Sequence, residues 1–302
     1  MRASSTLKLS LATVVFLAAC GDSKSTDTSV ALKAKITIGS TTDPTSEMIA
    51  EIYGQALEKA EFRVARKRPF ATSAELMSAL ASGEVQLAGV TSLSLFNLVQ
   101  DPAATSVVVP TDITGQARAI SKLLPANLKM GVPSTAEDKD VIFCAKTFTD
   151  TNTITKLSDL GAKPGIATLA APDGFDTSKP LGAAGLKDTY QIEFKSIVSA
   201  AIGKTLEAVN AGTADCGVGR SGDPALGAAT LTVLPDDKNL VPTNVILPLV
   251  TADVATPDVL TVVDATSGRL TPDSFRSLMS RLTVDGATPE IVANEFTGNA
   301  GT

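Results

Sequence analysis

Residues 35–90 read KITIGSTTDPTSEMIAEIYGQALEKAEFRVARKRPFATSAELMSALASGEVQLAGV and alternate between short strand patterns and helix patterns. A strand is predicted over 35–39, followed by a polar loop. Ser46 is predicted to cap a helix, because apolar residues from Met48 to Leu57 recur at three- and four-residue steps. The segment therefore begins as a strand, a loop and an amphipathic helix.

The same stretch then repeats this order. A second strand is predicted over 62–65, and the capping-box pattern over 72–75 opens a helix that Gly83 ends. A third strand is predicted over 85–90. Strand, helix, strand, helix, strand predicts a mainly parallel, doubly wound α/β sheet.

A second α/β unit follows the first. Strands are predicted over 141–145, 166–169, 192–197 and 216–218, with a helix over 202–211. The apolar run 245–250 is long enough to cross back to the first unit, and Thr-Pro pairs open three C-terminal helices at 256–257, 271–272 and 288–289. We therefore predict lobe 1 over 35–139 plus 247–302 and lobe 2 over 140–246.

Composition excludes several kinds of chemistry. The chain has 302 residues with no His and no Trp, and its formal charge is −6. Without His there is no Ser-His-Asp triad and no His-ligated zinc site. Twelve aromatic residues, 10 Phe and 2 Tyr, and an acidic balance argue against nucleic-acid binding. We expect no enzyme activity, no metal and no cofactor.

The N-terminus is predicted to be a targeting segment. Residues 1–19 combine a positive start with a short apolar stretch that ends in Leu-Ala-Ala before Cys20, as in a bacterial lipoprotein signal peptide. Cys20 is then the lipidated residue, and 20–34 is a flexible tether. The alternative is an ordinary signal peptide with a chance Cys. Either way the predicted location is extracytoplasmic, and lipidation anchors the protein on a membrane face.

Two further cysteines remain in the predicted lobe 2. Cys144 and Cys216 each lie in an apolar, strand-like run. In an oxidising compartment an even pair favours a disulfide. The alternative is two buried free thiols, because Cys packs as a small hydrophobe.

Several segments together resemble the glycine betaine/choline/carnitine-type (ProX/OpuAC-like) substrate-binding lipoproteins of ABC importers. The matching segments are 36–40, 46–53, 80–87, 185–190, 208–215 and 221–223. The resemblance implies a type II periplasmic-binding-protein fold, in which each of two lobes is a mainly parallel sheet flanked by helices. A small solute would bind in the interlobe cleft, at the carboxyl ends of the strands.

The resemblance also implies a function. Hinge closure would capture the solute, and a membrane permease with its ATPase subunits would receive it from a monomeric binding protein. The alternative on the same fold is a ligand sensor or scaffold that has lost transport. An extracellular enzyme on this scaffold and a purely structural surface protein are more distant alternatives.

The sequence departs from this family where its members hold a quaternary ammonium. Trp or Tyr faces form that cage through cation–π attraction, but here Phe143 lies beside one cage position and Arg220 takes another. The first-loop lysine of the family falls on Thr41, and Lys179 lies where the family has a carboxylate-binding arginine. We therefore expect that the ligand is a different polar or anionic solute.

The predicted binding residues come from four places in the chain. They are the first loop, the third strand and its end, the second unit's first strand, and the region around Lys179 and the turn after 218. The alternatives are helix caps for the hydroxyl residues, core packing for Phe143, and a solvated charge or turn cap for the rest. The full set is Ser40, Thr41, Thr42, Asp43, Ala88, Thr91, Ser92, Phe143, Lys179, Arg220, Ser221 and Asp223.

Overall fold

The computed structural model describes residues 35–100, 109–177 and 180–298, and it contains two five-stranded sheets. The strands are β1 (Lys35–Ile38), β2 (Arg63–Arg66), β3 (Leu87–Thr91), β4 (Leu128–Met130), β5 (Asp140–Ala145), β6 (Thr168–Ala171), β7 (Ser196–Ser199), β8 (Cys216–Arg220), β9 (Leu231–Val233) and β10 (Ile246–Thr251). The helices are α1 (Pro44–Lys59), α2 (Ser73–Ser82), α3 (Ser92–Val99), α4 (Ile113–Leu123), α5 (Lys146–Asn152), α6 (Leu157–Gly161), α7 (Ala183–Tyr190), α8 (Ile202–Asn210), α9 (Pro257–Arg269), α10 (Pro272–Thr283) and α11 (Pro289–Gly298).

The first sheet has the order β2-β1-β3-β10-β4. β1 pairs in parallel with both β2 and β3, whereas β10 runs antiparallel to β3 and β4. β10 is the only strand of this sheet that comes from the C-terminal part of the chain, and all six of its residues are buried. The sheet is therefore completed by a late segment inserted near its middle.

The second sheet repeats this plan with the order β7-β6-β8-β5-β9. β6 pairs in parallel with β7 and β8, and β5 runs antiparallel to β8 and β9. Each sheet thus has four strands in one direction and one antiparallel strand. That strand is β10 in the first sheet and β5 in the second, and each comes directly after a connector between the lobes. The prediction of a two-lobe α/β fold with mainly parallel sheets is confirmed.

The lobe bounds stay a prediction, and the strands of the two sheets are distributed along the chain as follows. All strands of the second sheet lie between 140 and 246, and β10 begins at Ile246, one residue before the predicted boundary. The described residues belong to one compact unit, Lys33–Thr302. The predicted signal peptide, lipidated cysteine and tether lie outside the described residues.

Proline and hydroxyl caps decide where most helices begin. The Oγ1 atoms of Thr256 and Thr271 accept bonds from the third residues of α9 and α10, each of which starts with proline. α1 differs from its prediction, because Asp43, not Ser46, is its N-cap and Pro44 is its first residue. Ser46 Oγ instead accepts a hydrogen bond from the Thr41 N–H at 3.0 Å. The capping role therefore moves one turn towards the N-terminus.

Two predicted elements shifted and four helices were not predicted. The strand predicted over 192–197 lies at Ser196–Ser199, because Ile192 packs into the second lobe's core while β7 is an exposed edge strand. The strand predicted over 166–169 lies at Thr168–Ala171. The helices that the sequence pattern did not reveal are α3, α4, α5 and α7. None exceeds 11 residues, so each offers little periodicity.

Two connectors join the lobes side by side. The chain leaves the first sheet after β4 and returns to it at β10. Glu137 in the outgoing connector forms an antiparallel β-bridge with Val245 in the returning one. The Asp138 N–H donates to the Asn244 carbonyl at 3.1 Å, and Asn244 Nδ2 donates to the Asp138 carbonyl at 2.9 Å. The connectors thus form a short two-stranded ribbon between the lobes.

Cys144 and Cys216 face each other on neighbouring strands. The register of the antiparallel pair β5–β8 sets the two residues directly opposite, and their sulfurs are 2.02 Å apart in a disulfide. Both side chains are fully buried in the second lobe's core. No helix among the described residues is long and apolar enough to cross a membrane.

Candidate functional site

A cavity of about 270 Å³ lies at the carboxyl ends of β1 and β3, where the interlobe connectors pass. Its walls come from the first turns of α1, α2 and α3, from the end of β3, from both connectors and from α10. In open parallel sheets, ligands bind outside the carboxyl ends of the strands. This cavity is therefore the candidate binding site of the first lobe.

Three helices begin at this cavity. Asp43, Thr45 and Ser46 belong to the start of α1, Ser73 to the start of α2, and Thr91 and Ser94 to the start of α3. The first N–H groups of a helix have no partner inside the helix, and the helix dipole adds partial positive charge there. Some of these N–H groups are already bonded, because Asp43 accepts from the Ser46 N–H and Asn244 from the Leu93 N–H. The helix dipoles and the remaining N–H groups favour an electron-rich group of a ligand, such as a carboxylate or hydroxyl oxygen.

Hydroxyl groups in the cavity keep free hydrogen-bonding capacity. The side-chain oxygens of Ser73, Thr91 and Ser94 have no hydrogen-bond partner among the described residues. Thr91 is the N-cap of α3, yet its side chain makes no capping bond. These hydroxyls can donate to or accept from a ligand without first breaking a bond within the protein.

The connectors contribute a carboxylate and an amide to the cavity wall. Asn244 Oδ1 accepts a hydrogen bond from the Leu93 N–H at 3.2 Å, which ties the returning connector to the start of α3. Asp138 lies beside it on the outgoing connector. The carboxylates of Asp43 and Asp138 are the charged groups of the described lining, which includes no Lys or Arg. Asp43 therefore leaves a negative charge at the wall, whereas an arginine outside the wall, Arg220, pairs with Asp138.

Arg220 is bound by carboxylates rather than free to hold a ligand. Its Nε and Nη2 contact the two carboxylate oxygens of Asp138 at 3.1 and 2.8 Å, and its Nη1 contacts Asp140 at 3.0 Å. Burial alone would lower the pKa of Arg220, but the bonds and charges of the two aspartates outweigh it, and the pKa is raised. The interpretation of Arg220 as the anchor of an anionic ligand is therefore not supported.

Three of the predicted binding residues line the cavity: Thr41, Asp43 and Thr91. Ser40 and Thr42 flank Thr41, but Ser40 is buried beside the neighbouring groove and Thr42 uses its N–H on the Phe70 carbonyl. These two residues brace the first loop against residue 70. Their contact with a ligand stays a prediction.

The other predicted residues of the first lobe are internal. Ala88 is fully buried in a core cluster behind β3. Ser92 is also fully buried, and its hydroxyl accepts from the Val245 N–H at 3.2 Å. Ser92 therefore fastens α3 to the returning connector, close to the cavity but outside its wall.

In the second lobe, Ser221 and Asp223 have structural partners. Ser221 Oγ accepts from the Lys139 N–H and donates to the Glu137 carbonyl, which ties the turn after β8 to the outgoing connector. Asp223 caps a short 3₁₀ turn, Pro224–Gly227, by accepting from the Ala225 N–H. Lys179 lies outside the described residues.

Phe143 lies in the core of the second lobe and not at the cavity. It is 1% exposed, and its ring packs on the backbone of β8 at Gly217 and Gly219. A Cβ atom at Gly217 would come within 2.6 Å of the ring, so only glycine admits the ring at this position. In the structure Phe143 is a core residue, which is the alternative that the sequence left open.

The sequence singled out three of the fifteen described lining residues. The unpredicted polar members are Thr45, Ser46, Ser73, Ser94, Asp138 and Asn244, and the unpredicted aromatic is Phe275. Hydroxyl residues near a helix start carried a partial signal, because they mark where the helix begins, although they do not show which helix starts meet in space. Asp138, Asn244 and Phe275 carried none, because their position depends on how the connectors and α10 pack.

Besides the ion pair of Arg220 with Asp138, the second lobe approaches the cavity wall closely at Gly222. α10 packs against the turn that follows β8. A Cβ atom at Gly222 in that turn would lie 2.9 Å from the Phe275 ring and 3.2 Å from Asp138 Oδ1. Phe275 and Asp138 both line the cavity. Glycine at 222 therefore lets the second lobe approach the binding wall.

Chemically, this arrangement can bind a small polar ligand. Among the described residues there is no group of three or more Cys, Asp or Glu placed to hold a metal ion. The cavity offers hydroxyls, helix N-termini, two carboxylates and one aromatic ring. Such a wall, between two lobes joined by a two-stranded ribbon, defines the class of two-lobe solute-binding proteins.

Comparison with known proteins places the chain in a family. Residues 34–299 match the OpuAC family, the substrate-binding domain of ABC-type glycine betaine transport systems, and the chain belongs to it. Members of this family are non-enzymatic, extracytoplasmic transport components that bind small solutes. The resemblance found in the sequence is confirmed.

Solved structures share the fold at low identity. A glycine betaine/carnitine/choline ABC transporter structure is 18% identical, with a TM-score of 0.76, and covers 88% of this chain and 98% of its own. The apo form of YehZ from Escherichia coli is also 18% identical, with a TM-score of 0.76 and coverage of 89% and 99%. No curated protein matched the sequence. These similarities establish the fold.

Proposed function

We propose that this protein is the solute-receiving component of an ABC importer, which captures a small polar solute between its lobes and delivers it to a membrane permease with ATPase subunits. The observation that carries the proposal is the cavity at the ends of β1 and β3, where three helix N-termini meet both connectors. Family membership supports the transport role.

Capture follows from the position of the cavity. A solute that rests on the starts of α1, α2 and α3 is bordered by the ribbon between the lobes, so rotation about the ribbon can bring the second lobe onto it. Contacts made only when the lobes approach favour the closed state over the open one. The edge that would close carries Arg220, the turn at Gly222 and the start of β5. The closed form is the one that the permease would recognise.

The cavity favours a ligand with two unlike ends. The helix N-termini and the hydroxyls of Thr91 and Ser94 suit an oxygen acceptor. The Asp138 carboxylate suits a positive or hydrogen-bond-donating group. A purely anionic solute would meet Asp43 and Asp138 without a free cation in the described wall to offset them. We therefore favour a zwitterionic, cationic or neutral polar solute.

A thermal-shift screen of the purified protein tests the function. The panel contains amino acids, amino alcohols, betaines, choline, carnitine, polyols and organic acids. A true ligand at 100 times its Kd adds about 2.7 kcal/mol to the free energy of unfolding, a readable rise in Tm. If no compound raises the Tm, and dialysis with the same panel shows no binding, the solute-binding proposal fails and a scaffold role takes its place.

Gly222→Val is expected to weaken binding of whichever ligand the screen identifies by about tenfold and also to lower the Tm without ligand, because the contact that it crowds is present in the described structure. The valine side chain would press on Phe275 and Asp138, which line the cavity, and overpacking of this kind costs about 1–3 kcal/mol. Titration calorimetry measures the change. Gly227→Val is the matched control, because a Cβ atom there meets nothing within 4 Å. Equal affinity in both variants would contradict closure at Gly222.

We also propose that the protein is a monomer anchored to the membrane through lipid on Cys20. Cys20→Ala is expected to abolish incorporation of a labelled fatty acid in cells, because that residue supplies the acceptor thiol. Metabolic labelling followed by electrophoresis measures it, and Cys216→Ala is the control that should keep the label. An unlabelled wild-type protein, or label retained in Cys20→Ala, would favour the ordinary signal peptide.

A further inference from the structure

Neither tyrosine of the chain lines the cavity, and Phe275 is the one aromatic residue in its described lining. The chain has no Trp and two Tyr. The Tyr53 hydroxyl bonds to Ser267 Oγ at 2.8 Å in the core, and the Tyr190 hydroxyl bonds to Asp236 in the other lobe. Phe275 is the aromatic residue among the described lining of the cavity, and it is 2% exposed. A single, almost covered ring makes a poor cage.

The cavity is instead rich in hydrogen-bond acceptors. Asp138 presents a carboxylate, and Ser73, Thr91 and Ser94 present hydroxyl oxygens without partners among the described residues. A trimethylated ammonium has no N–H bond to give to any of them. A primary or secondary ammonium has two or three, and bonds from a charged donor to a carboxylate are among the strongest in proteins.

Asp138 is also held in a fixed position. Arg220 binds both of its oxygens from one side, while its backbone is tied to Asn244 by two hydrogen bonds. A carboxylate has about four lone-pair sites, so the two bonds from Arg220 leave capacity for a ligand. Arg220 is therefore a positioning residue for Asp138.

We propose that this cavity selects a solute whose ammonium group carries N–H bonds, held by the Asp138 carboxylate, over the fully N-methylated counterpart of that solute; this selectivity rests on the proposed solute-binding function. The acceptor end of the same solute lies towards the start of α3, at Thr91 and Ser94. The chemical class is a small amino acid or amino alcohol rather than a quaternary ammonium compound.

A methylation series on the wild-type protein tests the selectivity without any substitution. Titration calorimetry compares glycine, N-methylglycine, N,N-dimethylglycine and N,N,N-trimethylglycine, and ethanolamine beside choline. Affinity is expected to fall along each series, by about tenfold or more between the first and last members, because charge-assisted hydrogen bonds are lost. Equal or tighter binding of the trimethylated members would overturn the inference and leave the solute-binding function intact.

Asp138→Asn supplies the second test. The preference for glycine over its trimethylated form is expected to shrink by about tenfold, and this ratio is insensitive to partial loss of active protein. Asp253→Asn is the matched control, because it makes the same charge change at a residue outside the cavity. Asp253 follows the C-terminal end of β10, whereas the N-terminal residue of β10, Ile246, lines the cavity. This variant should keep the wild-type ratio of the two affinities. An unchanged ratio in Asp138→Asn would remove Asp138 from the binding role.

A ligand from another chemical class also decides the matter. If the wider screen yields a ligand outside both series, the inference holds if that ligand carries an N–H-bearing ammonium and fails if it does not. If no compound binds at all, the solute-binding function itself fails. The two failures are therefore separate results.

Discussion

Phe143→Ala is expected to lower the free energy of unfolding by about 3–5 kcal/mol and to leave ligand affinity unchanged. The ring is 1% exposed and lies on the bare backbone of Gly217 and Gly219, so its removal leaves a cavity that the rigid strand β8 cannot fill. Urea unfolding followed by circular dichroism measures the loss, and calorimetry with the screened ligand measures affinity.

Phe148→Ala is the matched control for this substitution. Phe148 lies on α5 in the same lobe and is only partly buried, so its loss should cost much less stability. If Phe143→Ala instead reduced affinity and left stability unchanged, Phe143 would belong to the ligand cage, and the register of β5 would differ from the one described here.

Replacing both Cys144 and Cys216 by alanine is expected to cost about 4 kcal/mol in the free energy of unfolding. The bridge closes a separation of 72 residues, so its loss frees a long loop in the unfolded chain. The double substitution avoids leaving one reactive thiol in the core. Urea unfolding of the two proteins, each without reductant, measures the difference.

Reducing agent gives the control for the disulfide. Reductant added during unfolding should bring the wild type close to the double variant, whereas the double variant should not respond. Titration of free thiols in denaturant should find none from Cys144 and Cys216. Two free thiols would instead support the alternative of buried, unbridged cysteines.

The sequence revealed the fold because its signals are local. β1, α1, β2, α2 and β3 follow one another within 57 residues, and each leaves a period or a cap. Helix caps were predicted less accurately than the helices themselves. Asp43 and Ser46 are three residues apart, and both residue types can cap a helix. Pro44 favours Asp43, because proline is common at the first position of a helix. The error was one turn of helix, and the buried face did not change.

Only a small part of the binding wall was predictable, because distant segments build much of the rest. Thr41, Asp43 and Thr91 follow strands and could be named. Asp138 and Asn244 meet across 106 residues, and Arg220 meets Asp138 across 82. Nothing in the neighbourhood of Arg220 shows that two aspartates offset its charge. The inferred ligand class changed for this reason from polar or anionic to amine-bearing.

Because β10 lies between β3 and β4, the two sheets become complete at different times as the chain is synthesised. The second lobe's sheet is built from one continuous run, 140–233, so it can be completed as soon as that run has emerged during synthesis. The first sheet has β10 between β3 and β4, so it stays open until residue 251 is available. The part of the chain made first is therefore the part finished last. Until β10 is added, β3 and β4 each present an unpaired edge that is open to pairing with another chain.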